Sequence, residues 1–309
     1  MTNRRVLLLV CAQVFGAAIF SIPEARAQRI DNTDVYVLAD QLANEVELIR
    51  EVMGRPYDDS PRLPVGGVTP AELYLQAQTV FRKSNQLAQE LAGAKREAPP
   101  TAPDEEIRPA DTHAVVEAAL EQIRLVKREL GIDATVALEQ REDAIAPTGV
   151  FLVIIDINRQ LNLMIGESAR PRDVFEQVSV AAIYAAAILA QHSAGAQVPS
   201  PAAFDGHKRM DDVYTRLLEC IEIMSRVGPK AGVAVLRVSP RRNLPNNINS
   251  GHVYDLARIL VADLAVLADV SQAQRVNPGL STPARVFPTQ VYERAGILKQ
   301  QLEALEALL

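Results

Sequence analysis

A short cue recurs eight times along this chain, and each occurrence opens a run of apolar residues spaced like a helix. The cue ends on a ring at Tyr36, Tyr74, His113, Phe151, Phe175, Tyr214, Tyr254 and Tyr292. Successive spacings are 38, 39, 38, 24, 39, 40 and 38 residues, so one short step divides the series into two sets of four. Corresponding members of the two sets lie 139, 140, 141 and 141 residues apart. A period this regular constrains the fold more than any other property does. It implies eight similar structural units, read as a tandem duplication of a four-unit module.

The chemistry of the cue is that of a helix start. Pro70, Pro109, Pro147, Pro171 and Pro288 stand four residues before their rings. Proline suits the first helical position, where its missing N–H would have been unpaired and its φ is already set. Asp34, Glu72, Asp111, Asp173 and Asp212 stand two residues before theirs. An acid there meets the positive end of the helix and can accept from free N–H groups. Thr69-Pro70-Ala71-Glu72 is the fullest example, with the spacing of a capping box. The residue before the ring is aliphatic everywhere except Thr112, and it begins the apolar stripe. After Val35 that stripe continues through Leu38, Leu42, Val46, Ile49 and Met53, a helical period rather than a strand alternation. Gly54, Gly131 and Gly228 read as stops. Helices are therefore expected to begin near residues 32, 70, 109, 147, 171, 210, 250 and 288.

The predicted fold is all-α: eight long helices in two four-helix modules, residues 28–168 and 169–309. With no Trp and few aromatics, the core has to be built from Leu, Ile, Val and Ala. Val150–Ile165, Val174–Leu189 and Leu256–Val270 are apolar nearly all round, as buried helices are. The fourth and fifth helices are read as central, and the short Gly166–Arg170 link as a turn making an antiparallel hairpin of them. Other connections, such as Arg55–Val68 and Lys95–Arg108, are long and rich in proline. Bundle loops are usually about 2–8 residues. Extended at about 3.3 Å per residue, these segments outreach a 20-residue helix of about 30 Å. Consecutive helices within a module can then run parallel, each loop returning along the bundle; antiparallel helices with loose loops are the other arrangement. An α-solenoid is the rival fold, since periods near this length occur in helical arrays. Its second helix per repeat has one candidate here, Asp133–Arg141.

The N-terminus reads as an export signal. Arg4 and Arg5 precede a mostly apolar Val6–Ile22, and Ala25-Arg26-Ala27 offers small residues for cleavage after Ala27. The expected destination is the periplasm of a Gram-negative bacterium, with no stable membrane insertion after cleavage. The whole chain carries a net charge of −6 at pH 7. Cleavage would remove more basic than acidic residues, which argues against nucleic acid as a partner. Cys220 would then be the lone thiol, read as a buried small hydrophobe. Association through Cys220 or through the leucine-spaced C-terminal helix is the alternative.

No catalytic, cofactor-binding or metal-binding constellation emerges, and no cofactor is expected. His113, His192, His207 and His252 lack the spacing of a helical metal site; His113 reads as a substitute ring and His252 as a substitute for the N-terminal acid. Asp156 and Asn158, inside the apolar fourth helix, read as its exposed edge rather than a pocket lining. Ala231–Val238 is strand-like and precedes Arg241-Arg242, so Arg237, Arg241 and Arg242 form a candidate loop for a partner or anion. Its simpler reading is a crossover covering a helix groove. The eight rings read as structural staples rather than ligand contacts. The function expected from this pattern is a non-catalytic exported scaffold or protein-interaction module serving another envelope protein. A small-molecule-binding or sensory bundle, marked by a closed apolar pocket with converging polar groups, is the alternative.

Overall fold

The computed structural model describes residues 29–59, 62, 64–101, 106–139, 141–192, 206–238, 248–274 and 280–309. The proposed export segment, Arg241 and Arg242 fall outside them. Among the described residues the fold is all-α: α1 (Asn32–Val52), α2 (Pro70–Ala92), α3 (Pro109–Glu129), α4 (Pro147–Met164), α5 (Pro171–His192), α6 (Met210–Lys230), α7 (Ser250–Val270) and α8 (Pro288–Leu308). All eight begin where the cue places them.

The cue works through its caps. The residue two before the ring accepts a hydrogen bond from the backbone N–H of the capping residue: Asp34 at 2.8 Å, Asp111 at 2.7 Å, Asp173 at 2.8 Å and Asp212 at 2.8 Å. Glu72 does the same for Thr69. Gln290 (2.9 Å) and the Nδ1 of His252 (3.2 Å) take the acid's place in α8 and α7. The residue before each ring is the true core anchor. Val35, Leu73, Thr112, Val150, Val174, Val213, Val253 and Val291 are all 2 % exposed or less. The rings themselves sit at the edge of the core. Phe151, Phe175, Tyr74, Tyr214 and Tyr254 are buried, while Tyr36, His113 and Tyr292 are half-buried. Arginines stack on several of them, Arg82 on Tyr254 at 4.4 Å and Arg216 on Tyr292 at 3.5 Å.

Helix neighbours follow one scheme in both halves. α1 and α2 each pack on α3 and α4, and α5 and α6 each pack on α7 and α8. Within a half the helices run the same way. Arg216 meets Tyr292 near the starts of α6 and α8, and Arg226 meets Glu306 near their ends. Asn158 meets Gln76 and, further along both helices, Gln86 meets the carbonyl of Glu167 just past α4. Thr33 meets Ile145 where α1 and α4 begin, while Lys127 pairs with Glu45 late in α3 and α1. This is the parallel arrangement that the long connections allow.

The two halves run opposite ways. Along α2, Leu75, Gln78 and Lys83 face Arg258, Arg258 and Asp255 of α7. The short link does reverse the chain, but the expectation of a central α4–α5 hairpin needs correction. The principal packing between halves is α7 against α2, with α4 also touching α7. α7 is the helix buried on most sides, including Asp255 and Asp263. A single apolar core runs through both halves.

Three local expectations differ. Gly228 does not end α6, which continues to Lys230. A Cβ there would come within 2.6 Å of the Val235 side chain, so this glycine admits the following segment against the helix. Of Ala231–Val238 only Arg237–Val238 forms a strand (β2), paired antiparallel with Val65–Gly66 (β1) of the first half. Val233, Val235 and Leu236 of the same stretch are buried in the core. The described part of 133–141 is not helical. Separately, α5 has the length and apolar composition of a membrane span; here it packs against α7 and α8.

Candidate functional site

Where the halves meet, the apolar core gives way to a ring of buried charge. Lys83 is fully buried, and its Nζ lies 2.8 Å from each carboxylate oxygen of Asp255. It also donates to the carbonyl of Asn158 at 3.2 Å. Asn162 donates to Asp255 at 3.1 Å, and Gln76 donates to the Asp255 carbonyl at 2.8 Å. Burial pushes the Lys83 ammonium down to about 8, and the neighbouring Asp255 carboxylate only partly restores it. Asn158 is therefore the centre of the polar junction and not an exposed edge. Asp156, two residues before Asn158 and on the other side of α4, pairs with Arg62 and Arg159; burial raises its carboxyl above the ordinary value against the pull of both arginines.

A second buried acid lies further along α7. Asp263 is 2 % exposed and faces Glu72, which is fully buried and accepts from the Leu236 N–H at 2.7 Å. Burial and then the Glu72 carboxylate hold the Asp263 carboxyl well above its ordinary value.

Beside the Lys83–Asp255 pair is a cavity of about 60 Å³. Phe151, Leu152 and Ile155 of α4 and Leu256 and Ile259 of α7 form its apolar walls. Arg159, Tyr214, His252 and Asp255 bring polar groups to it, and exposed Arg62 sits at its edge. Arg159 pairs with Asp58 at 2.9 Å. The Nδ1 of His252 accepts from the Asn249 N–H, which leaves the proton on Nε2. That Nε2 is buried without a hydrogen bond, 3.7 Å from the nearer Asp58 oxygen. Burial raises the Tyr214 phenol far above its usual value, so it stays neutral among Arg159, Asp255 and Asp58.

Two of the eight rings, Phe151 and Tyr214, therefore line a cavity as well as packing a helix start. Arg237 is exposed on β2 and lies against Gly67 of the first half. Cys220 is fully buried against the carbonyl of Ala295, and burial raises its thiol. The leucine seam of α8, Leu298, Leu302 and Leu305, is spent inside the second half. Leu308, at the end of the same run, is exposed. Comparison with family models, curated proteins and solved structures yields no match.

Proposed function

We propose that the chain is an exported, non-catalytic helical module that binds a small molecule in the cavity between its halves. The observation that carries this reading is the cavity itself: apolar walls from α4 and α7, with Arg159, Tyr214, His252 and Asp255 converging on it. Small-molecule sites have this composition, an apolar enclosure with a few placed polar groups, and favour junctions between structural units. The matching helix-neighbour scheme of α1–α4 and α5–α8 supports a duplicated origin. Export to the periplasm is supported by Arg4, Arg5, the apolar Val6–Ile22 and Ala25-Arg26-Ala27.

Native mass spectrometry of the full chain recovered from a bacterial periplasm tests the reading. A retained adduct is expected, and it should disappear in Leu152→Phe, which fills the cavity. An adduct that survives Leu152→Phe, or protein that is never loaded, would remove the cavity from consideration.

A protein-interaction role is the second reading. It is favoured by the wide polar groove of about 690 Å³ between the end of α2 and the start of α5, where Arg82, Arg96 and Arg170 alternate with Glu90, Asp173 and Glu176. Crosslinking in the periplasm, with recovery of one envelope protein through this groove, would support it.

A further inference from the structure

The charges around the cavity are already matched, and that narrows what it can hold. Asp255 is neutralised by Lys83, Arg159 by Asp58, and Arg62 by Asp156. A charged ligand would bring a further charge into a site where each neighbour is already engaged, and burying an unpaired charge is strongly unfavourable. An apolar ligand would leave a different mismatch. Tyr214 lines the cavity among three charged side chains, Arg159, Asp255 and Asp58. His252 contributes a donor without a hydrogen bond, its tautomer fixed by the α7 cap. Donors of this kind are satisfied by a neutral oxygen acceptor.

We infer that the ligand is uncharged: a short aliphatic molecule with one carbonyl or hydroxyl oxygen, its chain against Ile155, Leu256 and Ile259 and its oxygen accepting from Tyr214. This rests on the small-molecule reading above and adds the ligand's chemical class. The size agrees. A dry cavity of about 150 Å³ holds a benzene ring, so about 60 Å³ takes a few heavy atoms. Binding of so small a molecule falls in the millimolar range, given the limited free energy available per heavy atom. Tyr214 is thereby assigned as the residue that selects the acceptor.

The test is an NMR titration of the full chain, following the methyl groups of Ile155, Leu256 and Ile259. The probes are ethanol, formate, ethylammonium and xenon. Xenon reports whether the cavity admits any guest, independently of polar recognition. Saturable shifts are expected with ethanol, with at least tenfold weaker binding of formate and ethylammonium. Tyr214→Phe should weaken ethanol about fivefold to tenfold, the loss of one hydrogen bond, and leave xenon binding unchanged. Formate or ethylammonium binding as tightly as ethanol would overturn the uncharged class while leaving the cavity as a binding site. Unaltered ethanol affinity in Tyr214→Phe would overturn the role of Tyr214. Failure of xenon as well as all three organic probes would instead sink the small-molecule reading itself.

Discussion

Lys83 of α2 and Asp255 of α7 join the two halves through a buried ion pair, with the ammonium 2.8 Å from both carboxylate oxygens. Removing one partner strands the other without water. Asp255→Ala should therefore cost about 3–5 kcal/mol. Lys83→Met combined with Asp255→Leu removes both charges and should cost much less than the sum of the single changes. Urea denaturation of the parent, both single variants and the double variant measures the coupling. A loss below about 1 kcal/mol for Asp255→Ala, the size expected of an exposed pair, would mean the junction does not depend on this contact.

Buried Asp263 and buried Lys83 give opposite pH dependences. Asp263 holds its proton well above its ordinary 3.8. The folded chain therefore binds more protons than the unfolded one above that value. Its contribution is fully present below pH 3.8 and is lost as pH rises through the folded value. Lys83 releases its proton near pH 8 when folded, against 10.5 otherwise. Between those values the unfolded chain binds more protons, so the Lys83 contribution grows more favourable as pH rises. Asp263→Asn keeps a donor for Glu72 without the titration. Urea midpoints measured from acid to neutral pH should fall more steeply for the parent than for Asp263→Asn, and parallel profiles would contradict a raised Asp263 carboxyl.

Gly251 sits in the first turn of α7, where a Cβ would overlap Asn162 Oδ1 and Ser168 Oγ. Alanine favours a helix over glycine by about 1 kcal/mol, yet here the methyl group has to displace the end of α4 and the link after it. Gly251→Ala should destabilise by about 1–3 kcal/mol, the usual cost of overpacking. Thermal melts of the two proteins decide the sign. A rise in Tm would show that Asn162 and Ser168 yield easily.

Tyr214 is 5 % exposed. Truncation to alanine should cost about 3–5 kcal/mol, as for other large buried aromatics. Tyr214→Phe should keep most of that stability, because the ring rather than the hydroxyl packs the start of α6. Equal melting temperatures for the parent and Tyr214→Ala would contradict the packing role.

The helix starts were legible because the cue encodes its own capping chemistry within five residues. Glu72 could be read as a cap from Thr69 and Pro70 alone. Its second role could not: the Leu236 N–H and Asp263 come from the other half of the chain. Lys83 likewise looks like a solvated charge on an amphipathic helix until α7 arrives beside it. Asn158 was read as an edge because one polar residue in an apolar run gives no sign of a distant polar partner. Gly228 looked like a stop, since glycine after a helical run often is one; the sequence gives no hint that Val235 folds back on it. The cavity was equally hidden, since Phe151 and Tyr214 belong to a repeat whose other six members do not line it.

Four helices pointing one way make each half strongly polar along its axis. About half an elementary charge gathers at every helix end, so four aligned ends would sum to roughly two charges of one sign. Asp34, Glu72 and Asp111 offset part of this in the first half, as do Asp173 and Asp212 in the second. The reversed alignment of α2 and α7 does the rest. Opposite poles lie side by side, their far fields cancel, and each half serves as the counterweight the other would otherwise lack.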